Sequence, residues 1–250
     1  METRSKNRRL DELLVSRGFF ATRSRARDAI LRGTVTVDGL PAAKPGQTAA
    51  ATAEISVADP ARDYVSRAAL KLVHGLDVFG FDPKGRVALD IGASTGGFTQ
   101  VLLQRGASHV IALDVGHGQM RPELAGDPRV TNLEGLNARD LDAALLDDRV
   151  PDMIVCDVSF ISIRLALPAA LALAAAGAVA VILVKPQFEV GKEAIGKRGL
   201  ADRNAAEAVV AELRDWFDGQ PGWRATGLVA SPIEGGDGNR EFLLGGVKDR

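Results

Sequence analysis

The sequence predicts an α/β protein: a doubly wound, mostly parallel sheet with helices on both faces, preceded by a small α+β unit. Three observations lead there. From Arg86 onward, short apolar runs of strand length alternate with helical stretches, and such alternation marks a parallel sheet built from crossover units. Several runs, such as Val181-Ile182-Leu183-Val184, are apolar without interruption, as strands covered on both faces must be. Residues 1–60 differ from the rest in charge. A chain of 250 residues, 46% hydrophobic and 25% charged, has a globular composition and the length for one small and one medium domain. The expected division is a first domain over 1–60, a linker and first helix over 61–85, and a second domain over 86–250.

In the first unit, Leu10, Leu13, Leu14 and Val15 recur at helical spacing and Gly18 closes the stripe. A second helix is expected from a cap at Thr22 or Ser24 through Ala26, Ala29, Ile30 and Leu31. Thr34-Val35-Thr36-Val37 alternates as a strand before the turn pair Asp38-Gly39. Lys44-Pro45-Gly46 adds a turn, and Glu54-Ile55-Ser56-Val57 a further strand. Arg4, Lys6, Arg8, Arg9, Arg17, Arg23, Arg25, Arg27 and Arg32 are set against only Glu2, Asp11, Glu12 and Asp28, although the whole chain carries a net charge of −1. A basic front on a near-neutral chain points to a polyanion met by one end. Arginines along a helix are an electrostatic footprint for nucleic acid; the alternative is a merely solvated helix face.

In the second unit a helix is expected from Tyr64 through Leu72. Strands follow at Val87–Ile91, Val110–Asp114, Val130–Leu133, Met153–Asp157 and Ala178–Val184, with a helix after Gly96. A long amphipathic helix spans Ala201 to Phe217, and terminal strands are expected around Gly227–Ser231 and Glu241–Leu244. Leu165 to Val184 is uncharged and about long enough to cross a bilayer. It holds Pro168 and breaks at Gly177, so it reads instead as a buried helix followed by an inner strand. The lone Cys156 excludes an internal disulfide and a cysteine-built zinc site, and no other residues cluster as a metal site. The charged amino terminus lacks the apolar core of a secretory signal. A cytoplasmic protein without a membrane partner is expected.

The most informative stretch is Asp90-Ile91-Gly92-Ala93-Ser94-Thr95-Gly96-Gly97-Phe98, a strand running into a glycine-rich turn and a helix. Glycines let a ligand approach the backbone, and a helix start offers unpaired N–H groups. Asp114 ends the next strand, where an acid accepts from both hydroxyls of a ribose. The pattern therefore suits an adenosine-type cofactor, although such a turn is also an ordinary strand–helix connection. The dinucleotide spacing Gly-x-Gly-x-x-Gly is absent, and Asp90 would repel a pyrophosphate. An ammonium suits that acid better, which favours S-adenosylmethionine. On this reading Asp90 and the turn Gly92, Ala93, Ser94, Thr95, Gly96, Gly97 and Phe98 take the methionine end, and Asp114 the ribose. Asn137, after the strand ending at Leu133, is placed to reach the adenine.

Lys71, Asp157, Lys185 and Glu241 stand out from apolar or patterned settings. A charge at the end of an inner strand is costly unless exposed or paired, so ion pairs stitching strand ends together are one reading. The other is catalytic. A ribose hydroxyl is a poor nucleophile until its proton is removed, and a lysine with a lowered pKa can remove it. Lys71 beside Lys185 would lower the pKa of one of them, while Asp157 and Glu241 orient the ammonium groups.

These segments bear a family resemblance. Arg9-Leu10-Asp11, Ser24-Arg25-Ala26-Arg27 and Arg32-Gly33-Thr34-Val35-Thr36-Val37-Asp38-Gly39 resemble the alpha-L RNA-binding module, named for a small-subunit ribosomal protein. Ser66-Arg67-Ala68-Ala69-Leu70-Lys71-Leu72, the glycine-rich turn, Asp157-Val158-Ser159-Phe160-Ile161-Ser162 and Val184-Lys185-Pro186-Gln187-Phe188-Glu189-Val190-Gly191-Lys192 resemble the TlyA family. The resemblance covers nearly the whole chain. It implies an alpha-L module joined to a Rossmann-like, FtsJ-type methyltransferase domain that methylates the ribose 2′-hydroxyl of cytidines in ribosomal RNA, free or within ribosomal subunits. It implies a Lys-Asp-Lys-Glu tetrad of Lys71, Asp157, Lys185 and Glu241, with Lys185 the base. Arg9, Arg23, Arg25, Arg27, Arg32 and Arg67 are the expected RNA contacts. Lys192, Lys197 and Arg198 join them from the basic, glycine-punctuated segment Gly191–Gly199, read either as a mobile loop or as a flap closing on RNA phosphates. His74 and His109 are expected to be structural or solvent-facing, and His117, within Gly116-His117-Gly118-Gln119-Met120, to be a loop residue near the cofactor rather than a catalyst. A non-catalytic ribosome-assembly factor is the alternative, and membrane lysis, a label attached to this family, ranks last.

Overall fold

The structure is a computed structural model describing residues 7–196, 199–235 and 238–249. The chain forms two compact units that divide between Asp63 and Tyr64. The first contains β1 (Arg8–Arg9), α1 (Leu10–Ser16), α2 (Arg23–Leu31), β2 (Val35–Val37), β3 (Leu40–Pro41), β4 (Thr48–Ala49) and β5 (Ile55–Val57). Strands β3, β2 and β5 form an antiparallel sheet, and β1 pairs with β4. Leu10, Leu13, Leu14, Ala26, Ala29, Ile30 and Val35 meet in one buried cluster. The hydroxyl of Thr22, rather than Ser24, caps α2 by accepting from the Arg25 N–H at 3.3 Å. Asp38 and Gly39 both adopt positive φ, +50° and +79°, the conformation a tight hairpin turn requires.

The second unit contains α3 (Ala69–Phe79), β6 (Val87–Ile91), α4 (Gly97–Gln104), β7 (His109–Asp114), α5 (Pro122–Ala125), β8 (Val130–Glu134) and β9 (Met153–Cys156). It continues through α6 (Ile163–Ala166), α7 (Pro168–Leu173), β10 (Val179–Val184), α8 (Arg203–Asp218), β11 (Trp223–Ala230) and β12 (Phe242–Lys248). Its seven strands lie in the order β11-β12-β10-β9-β6-β7-β8. They are parallel from β10 to β8, and β12 runs antiparallel between β10 and β11. Each face has its own core. Ala180, Ile182 and Val184 pack with α6, α7 and α8, whereas Val179, Val181 and Leu183 pack with α3 and α4. This two-sided burial is why β10 reads as continuous apolar sequence.

Two expected helices are redrawn. The one expected from Tyr64 begins at Ala69, after turns in which the Ser66 hydroxyl accepts from the Ala68 N–H. The Val65 N–H donates to the Gln100 side chain at 2.8 Å, drawing this approach onto α4. The buried helix expected before Gly177 is two short helices, because Pro168 can only open a helical turn here and takes the first position of α7. No helix among the described residues is long and apolar enough to cross a membrane.

Candidate active site

A cleft opens beyond the carboxyl ends of β6, β7 and β9, where ligands of doubly wound sheets bind. At its floor Gly92 adopts φ +82°, and a Cβ there would lie 2.7 Å from the Asp157 carbonyl oxygen. Only glycine lets the β6 and β9 turns come this close. The cleft has two lobes. The smaller, about 160 Å³, is lined by Ser66, Ala68, Ala93, Thr95, Gly97, Phe98 and Lys185. The larger, about 700 Å³, is bounded by Asp114, Val115, Gln119, Asn137, Phe160 and Leu165. Gly92, Ser94, Asp157 and Ser159 line both. Gly96 lies behind the turn, against Leu124 and Met120.

Asp114 bounds the larger lobe while already accepting backbone bonds, from Ser94 N at 2.8 Å and Gly116 N at 2.7 Å. Each carboxylate oxygen has a second lone pair left. Asp90 departs from expectation. Strand alternation turns it away from the cleft and against α4, where Thr99 donates to it at 2.6 Å. It is wholly buried, and its Oδ1 has no hydrogen-bond partner. Burial pushes its pKa up to about 7. The carboxylate expected to meet an ammonium is thus beneath the turn and does not line either lobe.

The four charged residues form two ion pairs. Lys71 Nζ lies 2.5 Å from Glu241 Oε2, both nearly buried. Lys185 Nζ lies 2.6 Å from Asp157 Oδ1 and donates to Ser159 Oγ at 2.8 Å. The register pairing Val184 with Phe242 brings Lys185 and Glu241 to the same sheet edge. A carboxylate lies beside each ammonium, because a buried charge is tolerated only with an opposite partner. Lys71 and Glu241 line neither lobe; Asp157 and Lys185 do.

Sequence reasoning passed over two features here. Glu189 accepts from Ser162 Oγ at 2.6 Å and from Ile163 N at 2.8 Å. It thereby ties the loop after Lys185 to the loop after Asp157. Its place four residues beyond a strand-end lysine was the available signal. Phe160, 91% exposed at φ +65°, stands beside Phe188 with ring centroids 5.1 Å apart. Nothing in the local sequence indicates that backbone conformation.

The expected RNA-contacting arginines are largely engaged within their own unit. Arg9 and Arg23 each donate at 3.0 Å to Asp11, which is fully buried. Arg32 pairs with buried Asp59 at 2.7 Å, and Arg25 donates to the Ala61 and Arg62 carbonyls. Two carboxylates inside a small unit need counter-charges, and these arginines supply them. Arg27 is exposed and Arg67 half-buried. Lys192 opens a short 3₁₀ turn to Ala194; Lys197 and Arg198 lie outside the described residues. Beyond them Asn239, buried, accepts from Ala201 N and donates to the Gly199 carbonyl, both at 3.0 Å.

The chain matches the FtsJ-like methyltransferase family over residues 64–248 and the S4 domain over residues 8–55. It is 45% identical to the 16S/23S rRNA (cytidine-2′-O)-methyltransferase TlyA of Mycobacterium tuberculosis, covering 96% of this chain and 90% of that protein. It is 38% identical to Hemolysin A of Brachyspira hyodysenteriae, covering 94% of this chain and 98% of the relative. A solved structure from Streptococcus thermophilus, described as a candidate hemolysin, superposes with a TM-score of 0.72 at 38% identity, covering 98% of this chain and 89% of that one. An S4 domain followed by an FtsJ-like methyltransferase domain, in the fold and with the relatives just described, places this chain in the TlyA family of methyltransferases.

Proposed function

We propose that this chain transfers a methyl group from S-adenosylmethionine to the ribose 2′-hydroxyl of a cytidine in ribosomal RNA, with Lys185 receiving the hydroxyl proton. The observation that carries the reading is the Asp157–Lys185 pair at the junction of the two lobes. A two-lobed cleft of this size fits a small cofactor. Asp114 sets a carboxylate in the wall of the larger lobe, where a ribose would meet it. The backbone of Gly92–Gly97 and Ser66 would hold the methionine end, Asp114 the ribose, and Asn137 with the apolar wall of Val115 and Leu165 the adenine. When bound, S-adenosylmethionine supplies an electrophilic methyl group on a positively charged sulfur.

The chain's own residues then align the acceptor and move one proton. Asp157 and Ser159 fix the Lys185 amine at the cleft. To act as a base, Lys185 must first release its own proton to solvent, after which its lone pair takes the proton of the 2′-hydroxyl. The oxygen gains the methyl as the carbon–sulfur bond breaks, leaving S-adenosylhomocysteine. Glu189 keeps the Asp157 and Lys185 loops in register, and Lys71 with Glu241 braces the sheet edge beside them. Phe160 offers an aromatic face at the rim, where an extruded base would stack. The S4 domain anchors the RNA, and a ribosomal substrate sets the activity in the cytoplasm.

The test is methyl transfer from labelled S-adenosylmethionine to ribosomal subunits and to their free RNA, followed by mapping of ribose methylation. The wild-type chain is expected to label a cytidine 2′-oxygen. Lys185→Ala should lower the rate by roughly 10²–10⁴-fold while still binding S-adenosylhomocysteine in calorimetry. No label in any RNA overturns the activity, and full turnover in the variant removes Lys185 as the base.

A further inference from the structure

Glu134 ends β8, in register with Asp114 at the end of β7. Its carboxylate faces a neighbouring loop and lines neither lobe of the cleft. It accepts the backbone N–H groups of three successive residues: Gly118 at 2.5 Å, Gln119 at 3.1 Å and Met120 at 3.3 Å. Consecutive N–H groups converging in this way form an anion-binding nest, and here the anion is the chain's own. Gly118 makes the nest possible with φ +62°. Those N–H bonds hold the Glu134 carboxyl below its ordinary pKa, so it is ionised at neutral pH.

The captured loop forms part of the cleft wall. Val115 and Gln119 both line the larger lobe. The Gln119 side chain meets Ser94 Oγ at 3.0 Å, and Arg121 N donates to the Thr95 carbonyl at 3.3 Å. Gly116 lies so close to the Gln119 amide that a Cβ there would collide with it. The strand-end carboxylate, the 116–121 strap and the glycine-rich turn are therefore linked in series. Resting on the cofactor assignment above, we propose that Glu134 is a positioning residue that clasps the 116–121 strap against the glycine-rich turn and so shapes the cofactor-binding lobe.

The clasp acts on binding, not on the chemical step. A glutamine at 134 keeps the size but loses the charge, and its amide NH₂ would confront N–H donors. S-adenosylhomocysteine is titrated by calorimetry into full-length wild type, Glu134→Gln, Gln119→Ala and the double variant, with kcat measured at saturating S-adenosylmethionine. Glu134→Gln should weaken S-adenosylhomocysteine binding by about tenfold, the loss of one charge-assisted hydrogen bond's worth of order. Its kcat should stay within about threefold of wild type, and the double variant should bind no more weakly than Glu134→Gln alone, because the two residues act in series. Should Glu134→Gln fail to fold, Glu134→Asp, which keeps the charge but shortens the reach, is the variant to titrate, with the same expectation. Binding by the folded variant within twofold of wild type, or a purely additive double variant, overturns the clasp. If wild type itself takes up no S-adenosylhomocysteine, the failure lies in the cofactor assignment instead.

Discussion

The charge of Asp90 is poorly accommodated by its surroundings: it is wholly buried, with one hydroxyl donor and one oxygen left unpartnered. Its pKa rises from 3.8 to about 7, chiefly through burial. An acid with a raised pKa holds its proton more tightly folded than unfolded. Between pH 3.8 and about 7 the folded chain keeps a proton that the unfolded chain has lost, so stability falls as pH rises through this window and levels off above it. Asparagine at position 90 removes that pH dependence while its amide oxygen still accepts from Thr99. The stability of Asp90→Asn relative to wild type should therefore increase from pH 5 to 7.5, by an amount of order 3 kcal/mol at most. Parallel unfolding midpoints across that range would show that Asp90 is not the titrating group. The residue also marks a boundary of what sequence conveys. That an acid precedes the glycine-rich turn is plain in the sequence, but only the alternation of β6 decides that it meets Thr99 beneath the turn.

Elements were more legible than the groups that fasten them. The strands β6, β7, β8, β9 and β10 stand within a residue or so of their sequence expectation, because unbroken apolar runs between turn residues leave little choice. The charged ends of β9 and β10 were legible for the same reason, since Asp157 and Lys185 interrupt apolar sequence. The pairing of Lys71 with Glu241 was not, because it depends on where an antiparallel strand inserts. Lys248 illustrates this kind of fastening at the far end of β12. Nearly buried, it donates to the carbonyls of Leu171 at 2.9 Å, Ala172 at 3.2 Å and Ala174 at 2.7 Å. These carbonyls close α7, where a cation also meets the negative end of the helix dipole. Lys248→Met would leave them without that donor. A loss on the order of 2 kcal/mol in urea unfolding is expected, and an unchanged midpoint would mean that the carbonyls find other donors.

Over the whole molecule, the basic amino-terminal unit is less available than its composition implies. Arg9, Arg23, Arg25 and Arg32 are committed to Asp11, Asp59 and backbone carbonyls, a pairing that a count of charges cannot reveal. Arg27 is exposed and is the better probe of RNA attachment. Arg27→Glu should weaken binding to ribosomal RNA and flatten the salt dependence of log K by about one, leaving the fold intact by circular dichroism. Equal affinity at every salt concentration would move the anchor elsewhere. The Lys71–Glu241 pair has a consequence for biosynthesis, since its partners stand 170 positions apart. On a ribosome the lysine emerges long before its acid, and until β12 is made β10 also lacks one neighbour. Until then Lys71 is without its ion-pair partner, and Lys185 follows a strand with one open side. On the proposed chemistry, the enzyme gains its activity only when the last strand of its sheet leaves the exit tunnel.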